Sequence, residues 1–426
     1  MEKSIRENSI IIFFIGLILT LYQGYSNVYL LMVAVLVTAW KLKKSNFQIV
    51  LYNDPVYIPF CIFIAYYFAT TLVGIALGSA SVATMIEFIE KYFLLPVIII
   101  ELLPEDYEGL CKVLASLRNF IVVCAIYGLI TQLSRHNYLA DTNIVQISNK
   151  AWFQMENGAT NYQSSSIFLH YSYYSFVLLF GYLLVHELPL KNTLYQRIIQ
   201  ILLIEQLLAS QSRMAWITFL MLIILFVIQY NKKMSAKSIS KYAIVFALIL
   251  VVIVVDSSVV DNLLQFISNR FSNIFVYKFN DGSFGQRIGT LQNFTKYMSL
   301  KPIAAIFGTG YMSVTGYYLK NFSYFIGYST TDNLLTSYLV EVGIFGTIIL
   351  ILSIVHFFAY KCPHKNLYTY LSKTSLYIFI LESSTLDLVS NTIMFALFLI
   401  FFVLGYKVKE IESHKDYRSL KLLEIG

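Results

Sequence analysis

Long apolar runs alternate with short polar stretches along almost the whole chain. A membrane-spanning helix needs about 20 mostly apolar residues to cross a hydrocarbon core about 30 Å thick. Twelve runs come close to that length, and we interpret them as transmembrane helices, which predicts an all-α integral membrane protein. The runs are centred on residues 8–24, 27–41, 55–76, 83–103, 119–134, 166–185, 194–211, 213–230, 242–260, 333–358, 367–385 and 388–406.

Two polar segments are too long to be simple turns between such helices. One lies near residues 135–165, and the other extends over residues 261–332. A loop as long as the second is uncommon unless it has a function. We therefore divide the chain into residues 1–260 with nine predicted helices, the loop 261–332, and residues 333–426 with three further helices and a tail.

The longer loop contains the stretch "GQRIGTLQNFTKYMSLKP", in which apolar residues recur at roughly helical spacing. These residues are Ile288, Leu291, Phe294 and Tyr297. The spacing predicts an amphipathic helix, which either packs on the outer mouth of the bundle or lies in the membrane interface.

Basic residues cluster on one side of the twelve predicted helices. The clusters are "KLKK" at 41–44, "NKKMSAKSISK" at 231–241, "KCPHK" at 361–365 and the tail from Lys407 onward. By the positive-inside rule that side is the cytoplasm. Both termini are then cytoplasmic, and the loop 261–332 lies outside, before the tenth helix.

The composition agrees with lipid as the solvent of this chain. Of its 426 residues, 58% are hydrophobic and 13% are charged, whereas charged residues make up about a quarter of a soluble domain. The net charge of +7 comes from Lys and Arg in short loops, so we expect no nucleic-acid partner. None of the four cysteines lies in the two long loops, so no disulfide framework is implied.

Motifs of soluble enzymes are missing from the sequence. There is no P-loop, no dinucleotide-binding glycine fingerprint and no His-Glu-x-x-His, and the six histidines lack metal-ligand spacing. We therefore expect neither a metal nor a nucleotide cofactor.

Ionisable residues inside the predicted spans are the remaining candidates, because charge in a membrane is costly and usually faces a polar cavity. In the fourth span, Glu87 and Lys91 are spaced i, i+4, so this pair either neutralises itself or has a function. In the seventh span, Glu205 beside Gln206 indicates either a polar lining or an interhelical hydrogen bond.

Arg213 occupies another unusual position. It follows Ser210 in the turn "SQSR", which connects two predicted spans on the outside, where the positive-inside rule disfavours Arg. The structural alternative is an Arg at a helix end that extends its charge to the interface. The outer position favours a functional role.

The stretch "TDNLLTSYLVEVGIFG" leads from the long loop into the tenth predicted span. Asn333, Ser337 and Glu341 recur there at i, i+4 and i+8, so they share one helix face. Asp332 precedes them, and its carboxylate either caps the helix by accepting from free backbone N–H groups or belongs to a functional site.

Three motifs thus follow one another: "SQSR" before a span, "QRIGTLQNFTKYMSLKPIAAIFGTGY" in the long loop, and "TDNLLTSYLVEVGIFG" at the next span. In this order they resemble the O-antigen polymerase and ligase superfamily of bacterial surface-polysaccharide assembly. The number of predicted spans and the late position of the long loop are also similar to that family.

The resemblance implies a multi-pass enzyme of the bacterial inner (plasma) membrane, which transfers a glycan from undecaprenyl pyrophosphate to an acceptor hydroxyl at the outer face without metal or cofactor. Arg213 and Arg287 match the family's two arginine positions, which implies that they hold the pyrophosphate. Asp332 is then expected beside the acceptor hydroxyl, as a third catalytic residue. Substrate-binding roles are expected for Ser210, Gly308, Gly310, Tyr311, Asn333 and Glu341.

A polymerase that joins lipid-linked repeat units is the form of this activity that we expect. Ligases of the family typically have a His where this chain has Asp332. The family also implies a flippase and a chain-length regulator as partners, besides the lipid-linked oligosaccharide and membrane lipid. The alternatives are an O-antigen ligase and a twelve-span flippase or transporter, although the two similar halves of a transporter are not visible.

Overall fold

The computed structural model describes residues 2–22, 26–45, 55–141, 163–168, 170–231, 285–325, 330–360 and 367–412. Within these ranges the protein is helical and contains no strand. The predicted span at 242–260, most of the loop near 135–165 and residues 261–284 lie outside the described residues.

Helices α1 to α9 occupy the first half of the chain, and a π-helical turn at Glu90–Leu94 joins α4 to α5. Their bounds are α1 Glu2–Tyr22, α2 Ser26–Ser45, α3 Ile58–Ala76, α4 Val82–Ile89, α5 Leu95–Leu102, α6 Tyr107–Ser134, α7 Tyr171–Glu187, α8 Thr193–Ala209 and α9 Arg213–Asn231.

Helices α10 to α16 follow a π-helical turn at Gly285–Gly289 and an α-turn at Thr290–Gln292. Their bounds are α10 Phe294–Leu300, α11 Pro302–Phe307, α12 Tyr317–Phe322, α13 Leu334–Glu341, α14 Gly343–Ala359, α15 Leu367–Ser383 and α16 Thr392–Phe402.

Each predicted span within the described ranges coincides with one helix or with two consecutive ones. Within those ranges, three helical segments are long and apolar enough to cross a membrane, namely Ile58–Ala76, Tyr107–Ser134 and Thr392–Glu412. Within the described residues the predicted all-helical character is confirmed, and the three candidate spans are consistent with a membrane protein. The number of spans and their orientation stay predictions.

The bundle is built around α7 and α16. The side chains of Phe176 and Phe401 are fully buried, and almost every residue of both helices is enclosed. A helix that is apolar on all sides belongs in a core. Helix α7 contacts α6, α8, α9, α15 and α16, and α16 also contacts α1 and α5. Helices α3 and α14 form a second pair, in which a Cβ on Gly346 would lie 2.6 Å from a ring atom of Tyr66.

Two local breaks have identifiable causes. Pro96 lies in the first turn of α5 and has no N–H for the carbonyl of Tyr92, so the preceding turn widens into a π-helix. Gly343 has φ +69°, and a Cβ there would lie 2.4 Å from the carbonyl oxygen of Ile306. Only glycine fits such a position, which explains why α13 ends and α14 begins there.

The stretch in which the sequence predicts an amphipathic helix forms helix α10 from Phe294 onward. Helix α10 buries Phe294 and Tyr297 against Tyr318 and Phe322, while Lys296 is exposed. The helix starts at Phe294, because the residues before it form the π-turn and the α-turn. It packs on the protein, as the first of the two alternatives predicted.

Loops that the sequence predicts on the outside meet at one end of the bundle. Ser79 Oγ, in the loop before α4, donates to the carbonyl of Thr309 at 2.9 Å. Lys91, in the π-turn after α4, joins this end through its Nζ, which donates to the carbonyl of Ser390 at 3.0 Å. We call this end the site end. At the other end, Tyr107 donates to Glu412 at 2.6 Å. The site end therefore collects residues from several distant parts of the chain.

Candidate functional site

A cavity of about 130 Å³ opens at the site end, among α3, the π-turn of α4, the 311–315 segment, α13 and the hairpin before α16. We call it the polar cavity. Its lining consists of Tyr67, Tyr92, Tyr311, Met312, Val314, Thr315, Thr330, Thr331, Leu334, Ser337, Tyr338, Glu341, Asp387, Val389 and Ser390.

Asp332 and Asn333 lie at the start of α13, between Thr331 and Leu334 of the cavity lining, and they have different roles. Asn333 is the N-cap, since its Oδ1 accepts from the backbone N–H groups of Leu335 at 2.8 Å and Thr336 at 3.3 Å. Asp332 has φ +51°, and its carboxylate accepts from the hydroxyl of Thr330. The interpretation of Asp332 as the cap is therefore wrong, because the helix begins one residue later than that interpretation requires.

The polar face predicted on α13 is directed at the cavity. Ser337 and Glu341 are both buried and both line it. The Ser337 hydroxyl lies 2.8 Å from the hydroxyl of Thr331 and donates to Asp387 Oδ2 at 3.4 Å. Glu341 Oε2 accepts from the hydroxyl of Tyr67 on α3. The face thus connects α13 to α3 and to the last hairpin.

Tyrosine rings form one wall of the polar cavity. The ring of Tyr311 lies 5.9 Å from that of Tyr67 and 6.1 Å from that of Tyr92, at steep interplanar angles. The hydroxyls of Tyr92 and Tyr338 are 3.2 Å apart. These edge-to-face contacts are favourable arrangements for aromatic rings, and they present apolar faces beside hydroxyl groups.

The Glu87–Lys91 pair connects the fourth predicted span to this wall. Lys91 Nζ lies 2.8 Å from Glu87 Oε1, and the Lys91 side chain is 3% exposed. The hydroxyl of Tyr311 donates to Glu87 Oε1 at 3.3 Å, and Lys91 also holds the carbonyl of Ser390. The pair does neutralise itself, but it also joins Tyr311 to the loop that carries Asp387.

Arg287 lies beside the start of α13. Its Nε donates to the backbone carbonyl of Asp332 at 3.2 Å. Its charge also acts on His170 and Glu382. The Glu382 carboxylate accepts from the hydroxyl of Thr218 on α9 at 2.7 Å. Arg287 therefore lies where α7, α9, α13 and α15 meet.

Arg213 is the first residue of α9, one and a half turns before Thr218, and it is half-buried. Ser210 is fully buried, and its hydroxyl donates to the carbonyl of Leu207 in its own helix at 2.7 Å. The turn between the two helices includes Gln211 at φ +56°. The "SQSR" stretch thus forms the tight turn that the sequence predicts.

The "GTGY" segment positions the end of α13. The N–H of Gly308 donates to Ala304, and the N–H of Gly310 donates to the carbonyl of Glu341 at 2.9 Å. A Cβ on Gly308 would lie 2.4 Å from that same Glu341 oxygen. The two glycines permit a close backbone approach, and the approach places the ring of Tyr311 in the cavity wall.

The polar Glu205–Gln206 pair belongs to a different location. Gln206 Nε2 donates to Gln132 on α6 at 2.7 Å, and its Oε1 accepts from Tyr174 on α7 at 3.1 Å. An interhelical hydrogen bond was one of the two alternatives predicted for Glu205, but Gln206 makes these bonds, and Glu205 Oε2 accepts from Gln206 Nε2 in the same helix at 2.7 Å.

Sequence reasoning missed Asp387, Glu382 and His170. Asp387 lines the cavity, and burial raises the pKa of its carboxyl above the ordinary value. Both acids lie in the stretch "LESSTLDLVSNT", a polar interruption between the last two predicted spans that was the available signal. Among the described residues, no group of three His, Cys, Asp or Glu side chains could hold a metal ion.

These features define a helical membrane protein with a polar cavity, lined by tyrosines and acids, at one end of its bundle and an arginine beside it. Residues 198–351 match the family model described as O-antigen ligase. The match covers about a third of the chain and includes Arg213, Arg287, Asp332 and Glu341. It supports the O-antigen ligase and polymerase superfamily. No curated protein matches the chain.

Proposed function

We propose that the protein polymerises a polysaccharide at the outer face of the bacterial plasma membrane. In this reaction a glycan moves from undecaprenyl pyrophosphate to a hydroxyl of another lipid-linked repeat unit. The observation that carries the proposal is the position of Arg287, whose Nε donates to the backbone carbonyl of Asp332 at 3.2 Å. Asp332 directly follows Thr330 and Thr331, which line the polar cavity, so a cation is bonded to the chain next to a cavity that contains carboxyl groups.

Arginine is the side chain best suited to a pyrophosphate leaving group. Its planar fork can bind two oxygens at once, and its charge persists at any physiological pH. In the proposal Arg287 and Arg213 hold the pyrophosphate. Asp387 lines the polar cavity and repels that group, so it remains on the arginine side.

The lipid part of the donor needs an apolar surface next to this site. A second cavity, of about 350 Å³, shares Tyr92, Leu334 and Tyr338 with the polar cavity. We call it the apolar groove and assign the polyprenyl chain to it. Its other lining residues include Phe60, Phe63, Pro96, Ile351, Phe379 and Phe398.

The proposed chemical step is a displacement at the anomeric carbon of the donor sugar. The acceptor oxygen forms a bond to this carbon while the bond to the pyrophosphate oxygen breaks, and undecaprenyl pyrophosphate leaves. The proton of the acceptor hydroxyl passes to a carboxylate, which must lie within hydrogen-bond reach. Asp332 takes this role in the proposal, and its partner Thr330 lines the polar cavity.

An O-antigen ligase is the second candidate, because the matching family model carries that description. Both enzymes break the same bond but use different acceptors. Deleting the gene and separating surface polysaccharide on a gel distinguishes them. We expect a single repeat unit on the acceptor, whereas loss of a ligase would leave none there and loss of a flippase would trap the repeat inside. The proposal also includes a flippase and a chain-length regulator as partners.

A further inference from the structure

The polar cavity combines aromatic rings with hydrogen-bonding groups in a volume comparable to one sugar ring. Tyr67, Tyr92, Tyr311 and Tyr338 supply ring faces, and Ser337 supplies a hydroxyl. Tyrosine joins a large apolar face to a polar tip, which suits a ligand with C–H faces and hydroxyl edges. This combination favours a carbohydrate over a purely apolar or purely ionic ligand.

The ionisable side chains around the polar cavity are mostly acidic. Three carboxyl groups surround it: Glu341 and Asp387 in its lining, and Glu87 in contact with Tyr311. Lys91 is the cation nearest to them in the described part of this region, and it is already paired with Glu87 and bonded to a backbone carbonyl. Carboxylates around this partly enclosed space would repel any further anion that enters it, because the distances are short.

We propose that the polar cavity is the subsite for an uncharged sugar of the acceptor, and that Asp387 selects against sugars carrying a carboxylate. Hydroxyls of the sugar form hydrogen bonds with Asp387 and Glu341 in the lining, and one ring face packs on Tyr311. The inference rests on the proposed function, since it takes a glycan as the substrate. It adds the chemical class of sugar that the acceptor side accepts.

Binding of matched glycosides to the purified full-length protein in detergent tests this inference. The probes are methyl glucoside and methyl galactoside, each compared with the corresponding methyl uronide, which differs only at C6. Saturation-transfer NMR at pH 7 measures each affinity. We expect at least one neutral glycoside to bind about tenfold tighter than its uronide, because like charges repel strongly in a partly dry site.

Substitutions in the polar cavity test which side chains cause the preference for neutral glycosides over uronides. Asp387→Asn removes one charge and keeps the shape, so it should improve uronide binding several-fold and lower the ratio of neutral-glycoside affinity to uronide affinity. Glu341→Gln keeps a hydrogen-bonding side chain of the same shape and should change this ratio less than Asp387→Asn does. The matched control is Glu108→Gln, because Glu108 is exposed on α6 at the far end, paired with Lys112, and should alter neither affinity.

Three results would overturn the inference: equal affinity for both members of each pair, no binding of any glycoside, or an unchanged affinity ratio in Asp387→Asn. Such a result together with normal polymer in cells leaves the proposed function standing. Selective binding of the neutral glycoside supports the inference even if the gene deletion shows that the protein is not a polymerase.

Discussion

Replacing Asp332 by Asn separates the charge of this residue from its structural role. The structure identifies Asn333 as the cap of α13, and the contact from Arg287 goes to the backbone carbonyl of Asp332. Both features survive the substitution. Asn also tolerates the left-handed conformation at φ +51° and can still accept from Thr330. The free energy of unfolding should therefore fall by only about a few tenths of a kcal/mol, because the substitution disturbs neither the cap nor the Arg287 contact.

The rate of glycan transfer, in contrast, should fall strongly in Asp332→Asn. Removal of a general base typically lowers a rate by about 10²–10⁴-fold, so Asp332→Asn should leave surface glycan close to a single repeat. Asn333→Ala is the contrasting variant, because it removes the cap and should cost about 1 kcal/mol of stability. Asp332→Ala is less informative, since a non-glycine residue without a polar side chain is strained by about 1–2 kcal/mol in the left-handed region.

The assay compares polymer length on gels for wild type, Asp332→Asn and Asn333→Ala at equal membrane levels, with thermal unfolding in detergent as the stability measurement. We expect short glycan with normal unfolding from Asp332→Asn, and lower unfolding temperature with long glycan from Asn333→Ala. Long polymer from Asp332→Asn would refute the catalytic role of the carboxylate.

Three further outcomes can be tested, two that follow from the same structure and one that follows from the orientation predicted by the basic clusters. Arg287→Ala should lower glycan transfer at least tenfold, because losing one member of a charge-assisted pair costs about 2–5 kcal/mol, and Arg287→Lys should restore only part of it; normal transfer by the Ala variant in isolated membranes would exclude the assignment. Gly343→Ala should lower the unfolding temperature in detergent, since its φ is +69° and the new Cβ would meet the carbonyl oxygen of Ile306; an unchanged temperature would contradict the backbone geometry. A cysteine at position 283 should react with an impermeant maleimide in spheroplasts and one at position 235 should not; the opposite pattern would reverse the predicted orientation.

Hydropathy by itself determined where the helices lie. The described spans coincide with the predicted apolar runs, because a run of that length can satisfy its backbone hydrogen bonds in lipid only as a helix. Periodicity also determined the shared face of Ser337 and Glu341, because i, i+4 neighbours on a helix superpose whatever surrounds them. Both are properties of residues close together in the chain.

The sequence by itself could not decide which residue caps α13. Asp332 and Asn333 are adjacent, and both residue types are good caps. The left-handed backbone of Asp332, fixed by the contacts of the preceding loop, leaves the capping position to Asn333. A one-residue difference of this kind depends on how the loop packs.

Only the tertiary structure decided what surrounds the polar face of α13. Tyr67 reaches Glu341 across 274 positions of the chain, and Asp387 lies 50 positions beyond Ser337, with which it shares a hydrogen bond. Lys91 joins the same region from a turn that Pro96 widens. The sequence marks each of these residues as polar and out of place in an apolar run, but their meeting depends on which helices pack side by side. That choice is made by the complementary shapes of whole helix surfaces, which no local pattern contains.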